Sequence, residues 1–177
     1  MYIFRMSLGQ HYKHLKCCSI SFLRSFIFLL LFLPGCSDSV YLTPQVVGGI
    51  NSTSADQHPS YSGDGRYLAF ASDRNGSRAI YLYDQEQKRF VNLPNLNHRN
   101  SSQDQPSLSS DARYIVYIST ERGRPDVMVY DRENERSELI SANIRGSLAN
   151  PTISRDGRKI SFETTQLGQW HIAVVER

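Results

Sequence analysis

Three aspartates recur at nearly equal spacing, and they are the first residues of this sequence that suggest chemistry. Asp64, Asp111 and Asp156 stand 47 and 45 residues apart. Three carboxylates brought together would form an acid–base centre or a calcium site. Each one, however, occupies the same turn of a separate repeat, where an aspartate accepts hydrogen bonds from its own backbone. We therefore predict structural turn residues. An arginine follows two positions after each aspartate, and we predict that its side chain covers the turn or forms an ion pair near it. These residues are Arg66, Arg113 and Arg158.

Other residue types that support catalysis or metal binding are sparse. The sequence has no Gly-x-Ser-x-Gly elbow, no His-Glu-x-x-His pair, no phosphate-binding glycine loop and no Cys-x-x-Cys pair. His58, His98 and His171 lie in different contexts, and we predict loop or surface positions for them. After residue 35 the only thiol is that of Cys36, so thiolate chemistry has no further ligand. These patterns predict no catalytic residue, no metal ion and no cofactor.

The elements that position these residues come from an internal repeat. Three copies align without a gap, beginning at Pro59, Pro106 and Pro151, and they share Ser, Asp, Arg and Gly at fixed later positions. In each copy, a turn precedes a run of β-forming residues, and a glycine-containing turn leads to a second run. The predicted strands are residues 67–72 and 79–83, 114–119 and 126–130, and 159–164 and 171–175. Weaker strands are predicted at residues 89–93 and 137–140.

Units of about 40–50 residues with four strands are typical of propeller blades. The pattern Pro-x-x-Ser-x-Asp-Gly-Arg, followed by Ser-Asp-Arg-x-Gly and a Tyr-x-Tyr-Asp strand, resembles the TolB-type β-propeller repeat, which also occurs in the propellers of some peptidases. The resemblance implies an all-β chain of three blades, each of four antiparallel strands, over residues 59–105, 106–150 and 151–177. Ala112 replaces the usual glycine and residues 164–166 replace Ser-Asp-Arg, so these two loops are expected to differ in shape.

Three blades are too few for a closed ring, because closed propellers use about 4–8. The third copy stops after its third strand, whereas Gln45-Val46-Val47 resembles the fourth strand that precedes the later copies. We therefore predict a tether and a closing strand within residues 36–58. Two copies would then join head to tail into six blades, each donating Val46-Val47 to the other. The alternative is a monomeric open arc, or a shortened chain with exposed strand edges.

The first 35 residues resemble an export signal. Basic residues precede an unbroken apolar run over residues 26–33, which is far shorter than the ~20 residues of a membrane-spanning helix. The next residues, Leu33-Pro34-Gly35-Cys36, resemble a bacterial lipobox, in which the cysteine receives a diacylglycerol and becomes the first residue of the mature chain. This predicts a signal peptide over 1–35 and lipid attachment at Cys36. An ordinary secretory signal or an uncleaved anchor is the alternative.

The resemblance also indicates where a partner would bind. His58, Gln105 and Asn150 stand immediately before the repeated prolines, at the beginning of the inner strand of each blade. In TolB-like propellers this end faces the central channel, so the resemblance implies a polar rim that contacts a peptide or protein. The alternative is that these three are ordinary loop residues.

Charge argues against a nucleic-acid partner. The net charge of the full sequence is +3, with 20 basic and 17 acidic side chains. The first 35 residues hold four of the basic residues and no acid, which leaves the remainder at −1. Its basic residues alternate with acids rather than forming a stripe.

Together these patterns predict an exported, lipid-anchored, non-enzymatic protein-interaction module of the bacterial cell envelope or periplasm. Its partner would be an envelope protein or lipoprotein, because proteins that share the repeat help to link envelope components. The alternatives are a propeller that binds a glycan or small molecule, and a remnant of a peptidase propeller domain.

Overall fold

The computed structural model of the protein describes residues 49–177. The predicted signal peptide, Cys36 and the predicted closing strand at Val46-Val47 lie outside the described residues. In residues 49–177 the regular elements are β-strands, and no helix there is long and apolar enough to cross a membrane. The first blade comprises β1 (Asp56–Tyr61), β2 (Tyr67–Ser72), β3 (Ala79–Asp84) and β4 (Arg89–Val91). The second comprises β5 (Gln103–Leu108), β6 (Tyr114–Ser119), β7 (Asp126–Asp131) and β8 (Arg136–Leu139). The third comprises β9 (Leu148–Ile153), β10 (Lys159–Thr164) and β11 (His171–Glu176).

Each blade is an antiparallel sheet whose strands follow one another in chain order. Blades 1 and 2 have four strands, and the described part of blade 3 has three. The first strands β1, β5 and β9 lie side by side along the inner edge of the arc. The prediction of an all-β fold with blades of antiparallel strands is therefore confirmed.

The strand predictions agree closely with the observed bounds. The second strand of every blade matches residue for residue, and the third strand is one residue longer than predicted. In contrast, β4 ends at Val91, before the predicted limit, and β8 begins and ends one residue earlier than predicted. The first strand of each blade begins three residues before the repeated proline. Residues 56–58 are therefore part of β1 rather than of a tether.

Alternation of side chains gives blades 1 and 2 two apolar faces, whereas blade 3 has one apolar face and one on which Ile172 and Val174 lie beside Ser161 and Glu163. We call the face toward the next blade in the chain the forward face, and the opposite one the back face. In blade 1 the forward face carries Ala69, Ile80 and Leu82, which pack against the back face of blade 2. A second core between blades 2 and 3 includes Val127 and Phe162. Stability therefore comes mainly from contacts between neighbouring sheets.

The turn after the first strand keeps one conformation in all three blades. Its fourth residue, counted from the repeated serine, has a positive φ of 73° at Gly65, 55° at Ala112 and 73° at Gly157. The amide of each donates to the carbonyl of the repeated serine, at 2.9–3.0 Å. The expectation that the loop at Ala112 differs in shape is wrong, because the hydrogen bonds of the turn hold the alanine in the left-handed region despite its Cβ. The glycine-containing turn of blade 3 likewise keeps its closing bond, from Gly168 N to Thr165 O at 2.9 Å.

Candidate functional site

The predicted rim residues lie inside the inner strands rather than before them. His58, Gln105 and Asn150 are each the third residue of β1, β5 and β9, with φ of 54°, 53° and 50°. Strand pairing shifts register around each of them, which marks a β-bulge. Non-glycine residues rarely adopt positive φ, and such backbone costs of order 1–3 kcal/mol each. The same strained bulge therefore recurs at one level of the inner edge of the arc.

Hydrogen bonds join this row of residues from blade to blade. His58 Nδ1 lies 2.8 Å from Asp104 Oδ1 on the neighbouring strand. Gln105 N donates to the same Asp104 oxygen at 2.8 Å, and Gln105 Oε1 accepts from Asn150 N at 2.6 Å. We call His58, Asp104, Gln105 and Asn150 the inner row. Its imidazole, amides and carboxylate offer donors and acceptors to a bound chain, and His58 keeps 41% of its side chain exposed.

The repeated aspartates accept hydrogen bonds within their own turns. In each blade the repeated serine hydroxyl donates to the aspartate at 2.6 Å. The backbone amide of the repeated arginine donates to the same carboxylate oxygen at 3.0–3.1 Å. These bonds favour the charged form and hold the pKa of each carboxyl below its usual range. The three carboxylates lie in separate turns and do not form a cluster.

The repeated arginines pair elsewhere than with the turn aspartates. Arg66 Nη2 lies 2.9 Å from Asp84 Oδ2 at the end of β3, and Arg113 Nη2 lies 2.9 Å from Asp131 Oδ2 at the end of β7. These pairs lower the pKa of both aspartates. In blade 3 the corresponding acid is Glu176, opposite Lys159 in the strand register. The sequence located the arginines near the turns but did not identify their partners.

Acid should unfold the protein through these carboxyls. Their pKa values are lowered in the folded chain relative to about 3.9 in an unfolded one, so their stabilisation is present above that pH and is lost as pH falls through the folded values. We expect the melting temperature, measured by circular dichroism, to stay constant above about pH 5 and to fall steeply below about pH 4. Replacing the three turn aspartates with asparagine should flatten the profile. An unchanged melting temperature down to pH 3 would contradict this. The residues concerned are Asp64, Asp84, Asp111, Asp131 and Asp156.

The sequence patterns did not predict a contact between neighbouring blades in which two arginines lie over one tyrosine ring. The guanidinium of Arg66 lies 5.0 Å from the ring centroid of Tyr67, and that of Arg132, from blade 2, lies 4.8 Å from the same ring. Tyr114 is contacted in the same way by Arg113 at 5.0 Å and by Arg177 of blade 3 at 4.3 Å. Extending the repeat alignment by one column would have revealed the two outer arginines, because they directly follow Asp131 and Glu176. We call this contact the Tyr–Arg clasp.

The outer edge carries a polar groove. Its volume is about 660 Å³, and it lies where blades 2 and 3 meet. It is lined by Val129, Asp131, Asn134, Arg136, Ser137, Glu138 and Arg177. Within residues 49–177, no three His, Cys, Asp or Glu side chains are placed to hold a metal ion.

Comparison with known proteins agrees with this architecture. The TolB beta propeller domain family matches residues 47–177. TolB from Acinetobacter baumannii superposes with a TM-score of 0.55 at 23% identity, over 67% of this chain and 29% of that one. An oligogalacturonate lyase in complex with manganese gives 0.55 at 16% identity, over 76% and 37%. The propeller domain of the Trilobed protease from Pyrococcus furiosus gives 0.51 at 15% identity, over 70% and 39%.

The chain thus spans well under half the length of these structures. At such identities the superpositions show the fold alone. A search of curated proteins finds no match. The family match covers most of the chain, including every described strand. The chain belongs to the TolB beta propeller domain family.

Proposed function

We propose that this chain is a non-enzymatic protein-interaction module tethered in the bacterial cell envelope. The observation that carries the proposal is the inner row. A strained, positive-φ bulge is placed at the same level of all three blades, and polar side chains occupy it in each one. Strain of this kind clusters at binding and catalytic sites, where the surrounding structure maintains it. The TolB family supports a periplasmic or envelope location and a protein partner.

The chemistry of the inner row fits a polypeptide partner. It presents an imidazole, two amides and a carboxylate, which together donate and accept hydrogen bonds without a dominant charge. Arg78 Nε lies 3.4 Å from Asp104 Oδ2, so part of the carboxylate charge is neutralised within the protein. Such a surface recognises peptide groups and polar side chains rather than a phosphate or a metal ion. An envelope protein or lipoprotein would supply them.

The tether belongs to the same proposal. A diacylglycerol on Cys36 would hold the propeller at a membrane surface, with residues 37–48 as the link to the first described residues. One lipidated cysteine carries two acyl chains, which is enough for stable anchoring. Mass spectrometry of the mature N-terminus should find lipid on Cys36, and an unmodified thiol there would overturn this part. The predicted homodimer is also part of the proposal.

Replacing the three inner-row residues that have positive φ should weaken partner capture without unfolding the protein. In the variant H58A/Q105A/N150A the donors and acceptors are lost, so capture from detergent-solubilised envelopes should fall at least about tenfold, since each hydrogen bond contributes about 0.5–1.5 kcal/mol. Capture is measured by quantitative mass spectrometry. The melting temperature of the variant monitors the loss of the bonds between blades.

A matched control is provided by three other polar residues with positive φ in outer turns and connections: Lys88, Asn95 and Glu135. Their triple alanine variant should capture the partner as the native chain does. Equal capture by both variants would overturn the inner row as the binding site. Binding on a glycan array, with no protein captured, would instead favour the glycan-binding alternative.

A further inference from the structure

Exposed apolar side chains lie at both ends of the arc. Ile172 and Val174 are 68% and 66% exposed on the forward face of blade 3, with Trp170 beside them at 54%. The residues that correspond to Ile172 and Val174 in blades 1 and 2 are fully buried against the next blade: Ile80, Leu82, Val127 and Val129. At the other end, Tyr61 is 58% exposed, and its counterparts Leu108 and Ile153 pack into the cores between blades. Both ends therefore present surface that the interior junctions bury.

The two interior junctions share a pattern of hydrogen bonds. Gly63 N donates to Ser110 O at 2.8 Å, and Ser110 N donates to Arg155 O at 2.9 Å. Leu108 N donates to the hydroxyl of Ser60 at 3.2 Å, and Ile153 N donates to that of Ser107 at 3.4 Å. Blade 3 has the corresponding groups at its forward face: the backbone amide of Arg155 and the hydroxyl of Thr152, which lies 2.8 Å from Ser161 Oγ within the blade.

Blade 1 carries the groups that would complete this pattern. The carbonyl of Gly63 corresponds to the acceptors on Ser110 and Arg155, and the amide of Tyr61 corresponds to the donors on Leu108 and Ile153. On its back face, Leu68 and Phe70 are buried with Ile50 packed against them. Ile144, in the connection between blades 2 and 3, packs into the core between those blades in a comparable way. The segment that carries Ile50 therefore covers part of the back face of blade 1, as Ile144 covers part of the core between blades 2 and 3.

The charges at the junction positions indicate which blade can dock on the forward face of blade 3. At the interior junctions the Tyr–Arg clasp places Arg132 and Arg177 on Tyr67 and Tyr114. In blade 3 the tyrosine position is Lys159, which would repel an incoming arginine. In blade 1 the arginine position is Gln85, which carries no charge. Blade 1 of another copy would therefore place the uncharged Gln85, rather than an arginine, next to Lys159.

A second pair of positions matches in the same way. At the first junction Arg78 of blade 1 meets Asp104 of blade 2. The counterpart of Arg78 in blade 3 is Trp170, and the counterpart of Asp104 in blade 1 is Gln57. Neither is charged, so no ion is left unpaired between these two positions. Glu163 shares the forward face of blade 3 with Ile172 and is the acidic group that a docked blade would have to accommodate.

We propose that the forward face of blade 3 docks on blade 1 of a second copy of this chain. The proposal rests on the homodimer included in the proposed function and assigns its contact surface. Two such junctions are equivalent by a two-fold axis and close six blades into a ring. Ile172, Val174 and Trp170 of one copy then become buried at the junction with Tyr61 of the other.

Arginine at position 85 tests the charge match. In Q85R the new cation faces Lys159 of the other copy at both junctions, so the dimer should dissociate about 10- to 100-fold more readily. Adding K159Y restores the Tyr–Arg clasp and should return the affinity to the native value or better. Sedimentation equilibrium of the purified full chain in density-matched detergent measures both, with K88E as the control. Dimers unaffected by Q85R, or a native chain that is monomeric throughout, would overturn the proposal.

Cross-linking identifies which surfaces meet. In a full chain with Cys17, Cys18 and Cys36 replaced by serine, T152C and Y61C together should give covalent dimers with a short bismaleimide, and neither change alone should do so. Dimers from T152C alone would show blade 3 facing blade 3 and would overturn the head-to-tail junction. Partner capture is measured on the native chain and on the same variants. A native chain that is monomeric and still captures its partner would overturn the dimer and leave the proposed interaction role intact.

Discussion

Replacing Arg74 with alanine should lower the free energy of unfolding by about 3–5 kcal/mol, the combined cost of breaking a partly buried ion pair and three contacts with aromatic rings. Arg74 Nη2 lies 2.8 Å from Asp56 Oδ1, and each side chain is only 14% exposed. The same guanidinium lies 5.1, 4.8 and 5.0 Å from the ring centroids of Phe70, Tyr81 and Phe90 on the back face of blade 1. The alanine variant would leave a carboxylate without its cation and three aromatic rings without their cover.

Arg74 also holds the segment that precedes β1. Its guanidinium donates to the carbonyls of Gly49 and Ile50, and its Nε donates to the hydroxyl of Ser72 at 2.9 Å. Lysine offers a compact charge in place of this planar set of donors. R74K is therefore the matched control and should lose clearly less stability than R74A. Urea unfolding followed by fluorescence measures both, and a loss below about 1 kcal/mol for R74A would contradict the assignment.

The pH dependence of this effect has a definite sign. Burial raises the pKa of Asp56, but hydrogen bonds from Ser72, Arg74 and Ser52 outweigh it and leave the pKa below its usual range. The stabilisation by the ion pair is therefore present near neutral pH and is lost as pH falls through that lowered value. The difference in unfolding free energy between the native chain and R74A should shrink below about pH 4.

The repeat made most of the fold predictable. A gapless alignment of three copies locates strands and turns without knowledge of their neighbours, because β-forming runs and Asp-Gly turns are local signals. The aspartate turns follow for the same reason, since Ser62, Asp64 and Arg66 lie within five residues of one another. Even the loop around Ala112 keeps the shape of its glycine counterparts, as its hydrogen bonds outweigh a local preference.

The contacts between blades were not predictable from local patterns. His58 and Asp104 are 46 residues apart in sequence, and Arg132 of blade 2 contacts the ring of Tyr67 in blade 1. Residues before a proline favour extended backbone, so a left-handed residue there runs against local expectation. Only the stacking of one sheet on the next shows why the inner row forms bulges and why Arg132 contacts a tyrosine ring.

Alanine at Phe162 should cost about 3–5 kcal/mol, the second of the two largest effects expected. Phe162 is 1% exposed in the core between blades 2 and 3, where truncation leaves a cavity among Val127, Val129 and Ile160. This core lies within one chain, so the loss should be the same at every protein concentration. Urea unfolding at several concentrations tests this.

Ile172 is the matched control, because it lies on the adjacent strand of the same sheet but on the forward face, 68% exposed. In a dilute, monomeric sample I172A should change stability by no more than about 0.5 kcal/mol, as exposed substitutions usually do. Once two copies associate, binding stabilises the folded state by mass action, so the same substitution should become costly as concentration rises. A concentration-dependent loss for I172A beside a constant loss for F162A would separate the core inside the chain from the junction between chains. A loss for I172A that stays small at concentrations where the native chain is dimeric would place the contact elsewhere.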